Sequence, residues 1–110
     1  MKCLQEPERL DVLLRAIARA VTDEATQNGF VFEQPWKDAP KLLMYVVTEL
    51  SEAMEAWRND DRDAFEEEIA DSFIRLMHIV GLLDIPIGQR IEEKRRKNRN
   101  RPYRHGRKQI

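Results

Sequence analysis

This chain has little sulfur or imidazole chemistry to offer. Its 110 residues include one cysteine, Cys3, and two histidines, His78 and His105. A single cysteine excludes an intrachain disulfide and a cysteine-built zinc site. Neither histidine sits at ligand spacing from the other. A ferritin-like di-iron bundle needs Glu-x-x-His on two helices, and here Glu52 and Asp71 stand where such histidines would fall. No apolar run approaches the ~18 residues of a membrane span. The opening Met1-Lys2-Cys3-Leu4-Gln5-Glu6-Pro7 lacks the apolar stretch of a signal peptide. The expectation is a soluble, cytoplasmic protein.

Charge is abundant instead. Charged residues make up 35% of the chain and apolar ones 42%, against about 25% charged in an average globular domain. This suits a small helical protein with long solvated faces. A chain of 110 residues is expected to form a single domain over residues 1–110, with one core but no deep cavity. A site is then expected between helices or between subunits. The formal net charge of −1 conceals an asymmetry: residues 1–89 hold 9 Lys/Arg and 18 Asp/Glu, while residues 90–110 hold 10 and 2. The acidic body can hold a cation. The basic tail can bind nucleic acid, fold back on the body or grip a ligand's phosphates, or it can be merely solvated.

Apolar periodicity predicts four helices. Leu10, Leu13, Leu14, Ile17, Ala18, Val21 and Ala25 follow Pro7 at helical spacing, and Asn28-Gly29 forms a C-cap. This gives an N-terminal helix within residues 1–29. Residues 30–40 carry two prolines and three aromatics without helical period, and read as an ordered loop. Asp38 or Ala39 before Pro40 opens a second helix to about Arg58. Asp63 is expected to cap a third, which extends to about Asp84, and a fourth runs from Ile87-Gly88 toward Asn100. A basic tail, residues 101–110, follows.

The chemistry lies in two carboxylate pairs, Glu49-x-x-Glu52 and Glu68-x-x-Asp71. The i,i+3 spacing brings each pair onto one helical face, and packing the two helices together would gather four carboxylates. At about 100° per residue, Glu49 falls inside the apolar arc of the second helix and Glu52 at its edge. An inward carboxylate needs a metal or a basic group beside it. On the third helix, Phe65, Ile69, Phe73, Leu76, Val80 and Leu83 make an apolar stripe. Glu68, Asp71, Arg75 and His78 make a polar one which, taken alone, reads as a solvated face. All-oxygen ligation suits Mg²⁺, with Mn²⁺ as a substitute, and magnesium held this way usually brings a phosphate.

These residues resemble a known family. Glu49-Leu-Ser-Glu52-Ala, followed by Glu68-Ile-Ala-Asp71, is similar to the E-x-x-E…E-x-x-D signature of the MazG-like, all-α nucleoside triphosphate pyrophosphohydrolases. Ser72-Phe73-Ile74-Arg75-Leu76 and Lys94-x-x-x-Asn98-x-x-Arg101-Pro102-Tyr103-Arg104-His105-Gly106-Arg107-Lys108 extend the likeness over roughly residues 30–108. The resemblance implies a four-helix bundle completed by dimerisation or higher assembly, with Glu49, Glu52, Glu68 and Asp71 holding Mg²⁺. It also implies hydrolysis of a nucleoside triphosphate between its α- and β-phosphates. In that frame Glu52 is the candidate general base, and Lys94, Asn98, Arg101 and Tyr103 are candidate phosphate contacts. Lys94–Lys97 reads equally well as a solvated charge run, and Tyr103 as a residue packed on the bundle. Trp36 can stack on a nucleobase or act as a hydrophobic staple for the second helix. The competing reading is a non-enzymatic helical interaction or regulatory protein with a nucleic-acid-binding tail; for the pyrophosphohydrolase, nucleic acid is not an expected partner.

Overall fold

Helix ends in this chain are set by short polar residues that take the left-handed backbone or cap a neighbouring turn. The computed structural model describes residues 6–101, with side chains from residue 8. The described residues form four helices and no strand. The first, α1 (Glu6–Gln27), ends where Gly29 turns to φ 93°. The Phe30 N–H then donates to the Ala25 carbonyl (2.9 Å) and the Gly29 N–H to Thr26 (3.0 Å). This paired closure satisfies carbonyls that the helix end would otherwise leave open, and glycine reaches the required φ without steric cost.

The same device, built on aspartate, separates the next two helices. In α2 (Ala39–Arg58) proline stands in the first turn, as the sequence predicts. Past its end Asp60 takes φ 53°, and the Asp61 N–H donates to Ala56 O at 2.9 Å. Asp61 then caps α3 (Arg62–Leu83), its Oδ1 accepting from the Ala64 N–H at 3.0 Å. The expected cap, Asp63, lies instead in the first turn, because the tight turn brings Asp61 into capping position. Asp84 closes α3 in the left-handed region at φ 50°, and α4 spans Ile87–Arg99.

The described residues group into two compact units, one of residues 6–15 and 86–101, the other Ala16–Ile85. In the second unit α2 and α3 form an antiparallel pair. Leu42, Val46, Ala53 and Ala56 are the buried residues of α2, a stripe at i, i+4, i+11 and i+14. Leu42, 2% exposed, and Val46 join Ile79 in a cluster closed by Phe32, Tyr45, Leu82, Leu83 and Ile85. Complete burial of a side chain such as Leu42 contributes about 1.5–3 kcal/mol. Small residues permit the remaining approach. A Cβ on Gly81 of α3 would collide with Thr22 and the Ala18 carbonyl, so α1 and α3 meet there backbone to backbone.

One expectation for α3 is met only in part. Of its apolar stripe, Val80 is buried and Phe65, Ile69 and Leu83 are half-buried, but Phe73 is 60% exposed and Leu76 40%. Of the polar stripe read as solvated, Asp71 is exposed, whereas His78 is 5% exposed. The face turned inward mixes Ser72 and His78 with Met77, Ile79 and Val80. The other unit has a simpler joint: the Gly88 N–H donates to Asp11 Oδ1 (3.2 Å), so an α1 carboxylate caps α4, whose own N-cap residue, Pro86, supplies no side-chain bond. No helix among the described residues is long and apolar enough to cross a membrane.

Gly81→Ala tests the close approach. Forcing a methyl group into this contact is expected to cost about 1–3 kcal/mol, read as a lower urea midpoint with unchanged slope; unaltered stability would show that the α1–α3 contact opens without penalty.

Candidate metal centre

The i,i+3 spacing and the antiparallel pairing together decide what meets between α2 and α3. Glu49 lies on the buried stripe of α2, between Val46 and Ala53, and is half-buried. Glu68, half-buried on α3, faces it, and Asp71 follows one turn later at the exposed edge. One carboxylate oxygen from each of Glu49, Glu68 and Asp71 lies within 4.8 Å of the others. Glu52 stands outside this trio and is exposed, but its carboxylate reaches Glu68. The structure therefore brings together three of the four predicted metal ligands, with the fourth beside one of them.

Four carboxylates in one place perturb each other. Glu68 Oε2 is shielded from solvent, and no donor among the described residues reaches it. Its carboxyl is pushed up from the ordinary 4.5 to about 7, first because a proton there can be donated to Glu49, then by burial, by a second hydrogen bond to Glu52, and by the charges of Glu52 and Glu49. A cation faces the cluster. Arg75 Nε lies 3.6 Å from Glu49 Oε1, and its guanidinium sits over the Tyr45 ring, 5.1 Å from the centroid. The sequence places Arg75 on the same stripe as Glu68 and Asp71, four residues after the aspartate, and Tyr45 four before Glu49. Those i,i+4 relations are the signal that points to both residues as neighbours of the cluster.

His78, further along α3, is buried with Nε2 unpartnered, and its ring meets Phe32 edge-on, 5.7 Å between centroids. Burial, and then the Arg75 charge, hold its pKa below the usual 6.5. It is a neutral core residue rather than the surface residue that the polar stripe suggests.

The remaining candidates are exposed or lie outside the described residues. Trp36 is 79% exposed, so it does not pack on α2 as a staple would. Lys94 and Asn98 are exposed on α4, in the other unit, and the Arg101 N–H donates to the Asn98 carbonyl. Tyr103 lies outside the described residues. That unit also has an open cleft of about 580 Å³, lined by acidic residues including Asp11, Glu92 and Glu93. Those three are already paired with Arg15, with Arg95 and Arg99, and with Arg90, so its charge is balanced internally.

The Glu49 cluster fits a hard divalent cation: its donors are all carboxylate oxygens, they converge from two helices, and one buried oxygen lacks a donor. Comparison with protein-family models, curated proteins and solved structures gave no match for this chain. The chemical reading therefore rests on the residues themselves.

The carboxyl of Glu68 makes cation-free stability pH-dependent. Between pH 4.5 and about 7 the folded chain keeps a proton that the unfolded chain has lost, so this contribution is present at low pH and disappears as pH rises. His78 acts in the opposite sense, because as pH falls through 6.5 the unfolded chain takes up its proton before the folded one does. Glu68→Gln separates the two: without divalent cation, the stability of the wild type relative to this variant is expected to fall across that window in denaturant titrations. A difference independent of pH would mean that the carboxyl titrates normally.

Proposed function

We propose that this protein is a Mg²⁺-dependent nucleoside triphosphate pyrophosphohydrolase of the MazG-like kind. The observation that carries the reading is the convergence of Glu49, Glu68 and Asp71 across the α2–α3 pair, within 4.8 Å of one another, at positions matching the E-x-x-E…E-x-x-D pattern. In the reaction a water oxygen bonds to the α-phosphorus, the α–β anhydride bond breaks, and nucleoside monophosphate and pyrophosphate are released. Mg²⁺, or Mn²⁺ in its place, would polarise phosphate oxygens and offset the developing charge.

The chain's own residues divide the remaining work. Glu49, Glu68 and Asp71 would hold the cation, which requires Glu68 to give up its proton. Glu52, exposed and beside Glu68, has oxygens free to accept the proton of the attacking water or to complete the ligand set. The exposed Trp36 ring is available to stack on a base. Lys94, Asn98, Arg101 and Tyr103 are the proposed contacts to the outer phosphates. A cytoplasmic location follows from this choice of substrate.

A second copy of the chain is the proposed partner. Leu43, Val47, Leu50, Met54 and Trp57 form an exposed stripe on α2 at coiled-coil spacing, and Phe73, Ile74 and Leu76 are exposed on α3. Trp57, 68% exposed, is the kind of large apolar side chain that anchors an interface. Covering this face would complete the bundle that a small chain cannot close alone.

Incubation with a panel of ribo- and deoxynucleoside triphosphates is expected to yield monophosphate and pyrophosphate with Mg²⁺ or Mn²⁺ and neither with EDTA. Glu49→Gln and Asp71→Asn should lower the rate by about 100-fold or more, equivalent to about 2.7 kcal/mol of lost transition-state stabilisation. Diphosphate plus phosphate would place the scission elsewhere. No turnover, with both variants folded and binding cation as well as the wild type, would favour the helical interaction protein.

Light scattering tests the partner. The wild type is expected at twice the 13.0 kDa chain mass or a higher multiple, and Leu50→Glu with Phe73→Glu at the monomer mass. A monomeric wild type would exclude self-association through this face.

A further inference from the structure

Arg75 is a cation placed against the carboxylate cluster. Its Nε lies 3.6 Å from Glu49 Oε1, and its guanidinium is braced on the Tyr45 ring at 5.1 Å. The Glu49 side chain is only 13% exposed and that of Arg75 37%, so the pair is partly withdrawn from solvent while the Arg75 side chain keeps some exposure. Arginine does not deprotonate in proteins, and its planar head presents several donors suited to phosphate oxygens. A permanent positive charge beside Glu49 opposes any second cation that shares that carboxylate, and the opposition is stronger in a partly desolvated place than in water.

From this we infer that Arg75 makes cation loading conditional on the substrate's phosphates. This rests on the metal reading above and deepens it. A bare divalent cation must bind Glu49 against the guanidinium. A cation arriving with a polyphosphate brings negative oxygens that Arg75 can hold, so the same charge that repels the bare ion attracts the complex. The Tyr45 ring keeps the guanidinium in place for both tasks, and Arg75 serves as a positioning residue for the phosphates. By linkage, whatever the polyphosphate adds to cation affinity the cation adds to polyphosphate affinity.

Calorimetric titration of the full chain with Mn²⁺ alone and with preformed Mn²⁺–tripolyphosphate tests this, using wild type, Arg75→Gln, Arg75→Lys and Glu49→Gln. The wild type is expected to prefer the complex. Arg75→Gln should bind bare Mn²⁺ more tightly and the complex less tightly, lowering the ratio of the two affinities at least ~5-fold, and Arg75→Lys should restore part of it. A merely structural role would weaken both ligands alike and leave the ratio in place. If Arg75→Gln does not fold, Tyr45→Leu, which removes the brace, must lower the same ratio. Bare Mn²⁺ binding by Arg75→Gln alone would support the inference. Wild-type binding abolished by Glu49→Gln, with a ratio unmoved by Arg75→Gln, would overturn it and leave the metal reading standing. Failure of every protein to bind either ligand would overturn both.

Discussion

A carboxylate on the buried stripe of α2 is the constraint around which this structure is arranged. Glu49 takes a position in the sequence of inward residues where an apolar side chain would serve the core as well. An ionised carboxylate so placed is costly unless a cation, a proton or donors offset it. The facing side of α3 supplies the first two. Arg75 lies against one oxygen, and Glu68 can hold a proton between the two acids. Ser72 contributes little to this balance, since its hydroxyl is spent on the Glu68 carbonyl at 2.8 Å. Core packing is accordingly concentrated beyond the cluster, at Leu42, Val46 and Ile79, where no charge has to be accommodated.

The inward choice has an outward consequence. A helix has a limited set of faces, and α3 shares its inner one between the polar Glu68, Ser72, Arg75 and His78 and the apolar Met77, Ile79 and Val80. Phe73 and Leu76, which would have made a conventional core, are left outside. The same holds on α2, where Leu43, Val47, Leu50, Met54 and Trp57 run one residue out of step with the buried stripe. The site and the exposed apolar face are thus two results of one allocation. In the proposed dimer, the second copy would recover the burial given up by turning a polar face inward.

This allocation also explains what could be read from the sequence. Helix boundaries were legible within a residue or two, because their causes are local: Gly29 after α1, Pro40 in the first turn of α2, Pro86 ahead of α4. The α3 cap was misplaced because Asp61 and Asp63 are chemically alike, and only the preceding turn at Asp60 selects between them. Glu49 was identifiable as inward from its own helix. The orientation of α3 is legible only in part, since Val80 of its apolar stripe is buried and Phe65 and Ile69 are half-buried, while Phe73 and Leu76 of the same stripe are exposed. Periodicity ranks faces by hydrophobicity, and here the partner's charge decides. Trp36 shows the same limit on a smaller scale, because a staple and an exposed ring have identical sequence neighbours.

Charge accounting links the cluster to the chemistry proposed for it. In the cluster of Glu49, Glu52, Glu68 and Asp71, the guanidinium of Arg75 lies against Glu49. Ionised together, these acids carry more negative charge than Arg75 offsets, and a divalent cation taken up as Glu68 gives up its proton would offset part of the remainder. The cleft beside α4, where arginines of the same helix meet Glu92 and Glu93, has no comparable deficit. Acidic residues alone do not distinguish the two places. Three carboxylates converging from two helices, one with a buried oxygen that lacks a donor, do.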